Sequence, residues 1–190
     1  MRLLIKKYLK IVSVAFSMAF IITGIAYAQS STAILKVIII RHGEKPANGD
    51  NLNCQGLNRS QLLPAVISSK FGIPAFSYVP SLTADSATKH ARMFQTITPM
   101  AAKYNLVVNS KFNGKDAEGL AADILKKSGE VLVVWDHKMI VPIIHAFGIN
   151  DPGLKWSDDD FDSIWVISFQ NGKAILSKDK EGLQPAADCK

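Results

Sequence analysis

The sequence predicts an α/β fold: a three-layer sandwich with a mostly parallel central sheet, helices on both faces, and an antiparallel C-terminal hairpin. Three observations carry that expectation. Two short β-branched runs, "VIII" at 37–40 and "VLVVW" at 131–135, are apolar at consecutive positions, as strands buried on both faces must be. Strand-like and helix-like segments alternate from residue 34 to residue 148, the pattern of parallel strands joined by crossover helices. Two further apolar runs, "SIWVISF" and "AILS", flank Asn171-Gly172, a dipeptide that strongly favours a two-residue hairpin turn.

Ahead of the first strand, residues 1–28 read as an export signal. Arg2, Lys6, Lys7 and Lys10 form a basic start, residues 11–25 an apolar stretch, and Ala26-Tyr27-Ala28 a small-x-small cleavage pattern. An uncleaved membrane anchor is the alternative, because residues 11–28 are almost long enough to span a bilayer. The small-residue site favours cleavage, and no cysteine follows to suggest a lipoprotein. The expectation is therefore a periplasmic or secreted protein with no stable membrane association after cleavage, its single domain covering 29–190. Four of the 22 basic residues and none of the 16 acids lie in the leader, so the net charge drops from +6 to +2 on its removal. What remains shows no basic stripe interleaved with aromatics, and nucleic acid is not an expected partner. The oligomeric state is not legible in these residues. Export also delivers Cys54 and Cys189 to an oxidising compartment, where one disulfide is open to them, although spacing alone does not show that the sulfurs meet. Asn58-Arg59-Ser60 matches the pattern of a glycosylation acceptor.

The elements follow in order. The first strand runs into Arg41, His42, Gly43 and Glu44, and a polar loop spans 46–53. Leu57, Leu62, Leu63, Val66 and Ile67 recur at helical spacing between Gly56 and Lys70, with Pro64 as an interruption. A short strand is expected over 78–82. A second helix is expected over 86–103 on Met93, Phe94, Ile97 and Met100, with a weak strand at Leu106 and Val107. Asp116 is the expected N-cap of a helix reaching Lys127, with Gly129 as its stop. The strand "VLVVW" stops at Asp136 and His137, and helical spacing resumes after Met139 to Gly148.

In open parallel sheets, ligands bind outside the carboxyl ends of the strands. Arg41, His42 and His137 all fall at such ends. His145, on an apolar helical face, reads as structural. His42 differs from it, standing between an arginine and a glycine. A neutral imidazole keeps one nitrogen lone pair, so His42 is a candidate nucleophile toward phosphorus, forming a phosphohistidine that water then breaks. Such a step needs fixed positive charge around the phosphoryl oxygens, and arginine supplies it.

These residues resemble a family. "RHGE" at 41–44 after an apolar strand, "RMFQT" at 92–96, "VLVVWDH" ending in His137, and "LNCQGLNRSQLLP" at 52–64 are together similar to the histidine phosphatase superfamily, also called phosphoglycerate mutase-like. The resemblance covers nearly all of the chain past the leader. It implies His42 as nucleophile, with Arg41, Arg92 and His137 completing a phosphate pocket, no cofactor and no metal. The departures are Asp136 before the second histidine, Lys138 after it, and "KHA" ahead of Arg92, which places His90 as a surface or supporting residue.

The proton donor to the leaving oxygen has several candidates. Asp136 adjoins His137, but neighbours on an extended strand point to opposite faces. Asp116 and Glu118 open a helix at the correct edge of the sheet, and Glu118 is preferred because Asp116 is expected to be occupied as the cap. Glu44 is a further candidate, whose expected work is to hold a basic neighbour in the loop. The resulting expectation is a phosphomonoester hydrolase, a phosphatase acting on a phosphorylated small molecule. The alternative of another class is a non-catalytic phospholigand-binding module, and phosphomutase activity is a lesser one.

Overall fold

The structure is a computed structural model that describes residues 34–82 and 90–189; the expected export signal lies outside them. Six strands form one sheet: β1 (Lys36–Arg41), β2 (Phe76–Tyr78), β3 (Val108–Asn109), β4 (Glu130–Trp135), β5 (Ser163–Gln170) and β6 (Lys173–Lys180). Their spatial order is β3-β2-β4-β1-β5-β6. The first four run parallel, and β5 and β6 add antiparallel strands at one edge. Among the described residues four helices accompany them: α1 (Cys54–Phe71), α2 (Ala91–Tyr104), α3 (Ala117–Ile124) and α4 (His137–Ala146).

Period-two alternation in β1 assigns the helices to layers. Ile38 and Ile40 pack with Leu63 and Ile67 of α1 and with Met93, Ile97 and Met100 of α2. Val37 and Ile39 face the other way, against Leu120 and Ile124 of α3 and Ile140, Ile143 and Ile144 of α4. All four β1 side chains are at most 1% exposed, so the unbroken apolar run records burial on both faces. This is the three-layer sandwich that the alternation of elements predicts. The hairpin turns at Asn171 and Gly172 with φ of 51° and 76°, the positive values that a two-residue turn demands of both central residues.

Several boundaries move for identifiable reasons. Asn53 caps α1 by accepting from the Gly56 amide at 2.9 Å, which starts the helix at Cys54 rather than Gly56. Pro64 sits inside that helix without ending it. The strand expected over 78–82 is Phe76–Tyr78, and the weak strand expected at Leu106 and Val107 lies at Val108–Asn109. The helix expected over 86–103 is described from Ala91, directly after His90 in a left-handed conformation with φ 64°. His145 is exposed rather than packed on an apolar face. The change with most consequence is at α4, which begins at His137 and not after Met139.

A disulfide joins Cys54 to Cys189 across a separation of 135 residues. It ties the C-terminal tail to the first residue of α1 rather than to the preceding loop. The Asn58 side-chain amide donates to the carbonyls of Ala186 and Asp188, both at 2.9 Å, so the acceptor motif at 58–60 is engaged by the tail.

Candidate active site

Strands β1 and β4 are parallel neighbours in register, Arg41 opposite Trp135, so both deliver their carboxyl ends to one edge. The ladder continues one step further, with the His42 amide donating to the Trp135 carbonyl at 3.2 Å. That pairing sets His42 beside Asp136 and His137, which leave β4 together.

His42 is 1% exposed. Its Nδ1 lies 2.7 Å from the Gly43 carbonyl oxygen, and a carbonyl only accepts, so Nδ1 carries the proton and Nε2 keeps the lone pair. Burial disfavours the imidazolium, and the guanidiniums of Arg41 and Arg92 oppose it further, which brings the pKa down to about 4. The ring is thus a neutral, oriented base at ordinary pH. Burial also lowers the pKa of His137, with Arg41 adding to the effect.

Arg41 is held from behind by the loop preceding β5. Its Nη1 donates to the Asp158 carbonyl at 2.5 Å and the Asp160 carbonyl at 3.3 Å, and its guanidinium carbon stands 3.8 Å from the centre of the Phe161 ring. Nothing in the sequence marked this loop as part of the site, because carbonyls and a stacking ring leave no motif. Arg92, in the first turn of α2, donates to the Gly49 carbonyl at 3.1 Å. Among the described residues Arg41 Nε, Arg92 Nε and both His137 ring nitrogens are buried without a hydrogen-bond partner. His137 Nε2 is 3.0 Å from an Asp158 carboxylate oxygen, but the alignment is too poor for a hydrogen bond.

The nearest carboxylate to the His42 lone pair is that of Asp136, whose Oδ2 is 4.0 Å from Nε2. The argument that Asp136 and His137 must point apart fails because β4 ends at Trp135. Asp136 is the N-cap of α4, its Oδ1 accepting from the Lys138 amide at 2.9 Å, and the turn into the helix brings both side chains to one side. The preferred Glu118 is exposed in the first turn of α3, and Asp116 accepts from the Gly119 amide as that helix's cap. Neither is among the charged groups acting on His42, which are Arg41, Arg92 and Asp136. The carboxylate beside His42 is therefore Asp136, rather than the preferred Glu118 or Asp116.

The backbone of Gly43 lies against that of Gly56. A Cβ there would fall 2.9 Å from the Gly56 carbonyl oxygen, and one on Gly56 would fall 2.3 Å from the Glu44 oxygen. The two glycines let the loop after β1 lie directly on α1, while the Gly43 amide donates to Thr96 Oγ1 of α2 at 2.9 Å. Glu44 holds a basic neighbour, Arg59, through Nε at 2.9 Å and Nη2 at 2.7 Å, and Arg59 reaches onward to Glu181 after β6. Burial pushes the Glu181 carboxyl up to about 8.

His42, Asp136 and His137 also form a cluster whose ligating atoms lie within 4.8 Å of one another. With Arg41 and Arg92 acting on the same space, the local field favours an anion over a cation.

No family model matches the sequence, and no curated protein matches it. Solved structures do. Phosphoserine phosphatase from Entamoeba histolytica, as a histidine-to-alanine mutant in complex with phosphoserine, is 14% identical over 78% of this chain and 98% of that one, with a TM-score of 0.55. The same enzyme with 3-phosphoglyceric acid gives 15% identity, 80% and 98% coverage, and a TM-score of 0.55. Mycobacterial glucosyl-3-phosphoglycerate phosphatase with inorganic phosphate gives 12% identity, 80% and 97% coverage, and a TM-score of 0.52. At this coverage and these TM-scores, the chain shares the α/β fold of these phosphatases.

Proposed function

We propose that the protein is a phosphomonoester hydrolase that works through a covalent phosphohistidine on His42. The observation that carries this reading is the His42 ring itself: neutral, aimed by its bond to Gly43, and set at a strand end among Arg41, Arg92 and His137. In the first step the Nε2 lone pair attacks phosphorus, the bond from phosphorus to the ester oxygen breaks, and that oxygen takes a proton from Asp136. In the second, water attacks the phosphohistidine, Asp136 recovers a proton from it, and the phosphorus–nitrogen bond breaks to restore the lone pair. The guanidiniums stabilise charge on the phosphoryl oxygens throughout. Fold likeness to phosphatases complexed with phosphorylated small molecules supports a substrate of that kind.

The leader-like residues 1–28 and the bridge between Cys54 and Cys189 support action outside the cytoplasm, periplasmic or secreted. N-terminal sequencing of the exported protein is expected to begin at Gln29.

The deciding experiment is hydrolysis of an aryl phosphate by the mature protein and by His42→Ala. Turnover and an acid-labile phosphoenzyme are expected from the first and neither from the second. Phosphate binding without any turnover in the unaltered protein points instead to a phospholigand-binding module.

A further inference from the structure

A cavity of about 220 Å³ opens beside the candidate acid. Its bed is apolar, made by Pro80, Met93, Trp135 and Met139, and Asp136, whose Oδ2 is 4.0 Å from His42 Nε2, forms another side. Two exposed lysines, Lys115 and Lys138, complete its lining, and among the described residues neither is in an ion pair.

Its wall is built rather than accidental. The Trp135 indole N–H donates to the Gly114 carbonyl at 2.9 Å. His90 Nδ1 bonds the Ser81 carbonyl at 2.8 Å, which lays the ring on Gly114 so closely that a Cβ there would sit 2.7 Å from Nε2. His90 holds this position from a left-handed backbone, φ 64°, that a histidine rarely adopts. A glycine, an indole and a strained histidine together fix one side of the cavity.

In-line displacement decides what would occupy it. The nucleophile and the leaving oxygen lie on opposite sides of phosphorus, and the proton donor must touch the leaving oxygen. With Asp136 as donor, the group attached to that oxygen continues past the carboxylate into this cavity. We propose that the cavity is the leaving-group subsite, taking a small, partly apolar group that carries its own negative charge, read by Lys115 and Lys138. This inference rests on the phosphatase reading above. The volume, below the roughly 300–1,000 Å³ of pockets that hold drug-sized ligands, limits the group to about the size of one ring. An uncharged alcohol gains only the apolar bed; a carboxylate or second phosphate also meets the two ammonium groups.

The test compares phenyl phosphate with 4-carboxyphenyl phosphate. The unaltered protein is expected to favour the carboxylated ester in kcat/KM by about tenfold at low salt, each exposed charge contributing about threefold. Lys115→Met with Lys138→Met is expected to cut that preference to about twofold or less, through KM, and the paired arginine replacements to keep it. Raising ionic strength from about 0.05 M to about 0.5 M is expected to erode the preference in the unaltered protein. Equal kcat/KM for the two esters, or a preference that survives the methionine pair, overturns the subsite. If neither ester is hydrolysed, the phosphatase reading fails by itself; the dissociation constants of both for His42→Ala, by calorimetry, then judge the subsite. A tenfold tighter carboxylated ester supports it, and equal constants or no binding overturn it.

Discussion

The bond from His42 Nδ1 to the Gly43 carbonyl places the lone pair on Nε2, and burial with two nearby guanidiniums keeps the ring uncharged. The pH consequence has a definite sign. A histidine lowered from 6.5 to about 4 stays neutral until pH falls through about 4, so with His42 as the proposed nucleophile the acid limb of kcat/KM is expected there and not at 6.5. The same shift weakens the fold in acid. As pH falls below 6.5 the unfolded chain takes up a proton that the native ring accepts only near 4, and stability from this group declines across that window and then levels off. Asp136 carries the second residue-scale prediction. Asp136→Asn is expected to slow hydrolysis of an alkyl phosphate by about a hundredfold or more, and an activated aryl phosphate far less, because a good leaving group needs little protonation. Glu118→Gln is expected to change neither rate by more than about twofold, given its exposure on α3. His42 and Arg41 were legible in the sequence because an apolar strand pointed at them. Asp136 was discounted because strand alternation was carried one residue too far.

That one residue belongs to the element scale. Helix α4 starts at His137, with Asp136 as its cap, so a strand-to-helix turn rather than a strand end presents the pair. Hydrophobic periodicity after Met139 reported the buried face of the helix and was silent on its first turn, which faces the site. The contact between the loop after β1 and α1 is similar. "RHGE" and "CQGL" read as separate motifs, yet Gly43 and Gly56 exist for each other, since either Cβ would enter the opposite backbone. Gly56→Ala, with its Cβ 2.3 Å from the Glu44 oxygen, is expected to lower stability by about 1–3 kcal/mol in urea denaturation and to reduce turnover, because the loop it displaces carries His42.

Across the whole molecule, the site is braced by parts distant in sequence. Arg59 on α1 links Glu44, two residues after His42, to Glu181 beyond the last strand, and the tail after Glu181 is tied back to α1 by Asn58 and by the disulfide. Replacing Cys54 and Cys189 by alanine releases a loop of 135 residues and is expected to cost about 2–5 kcal/mol, read as a lower thermal midpoint that added reductant does not lower further. The amino-acid sequence by itself determined the architecture and half of the site. Apolar runs, helical spacing and an Asn-Gly turn are local signals, and local signals suffice to name buried strands, their order along the chain and the titratable residues at their ends. Only the tertiary structure decided which carboxylate stands by His42, why Gly43 is glycine, and that the carbonyls of Asp158 and Asp160 hold Arg41. Those depend on distances between segments far apart in the chain, set by sheet order and helix packing, which no single stretch of residues encodes.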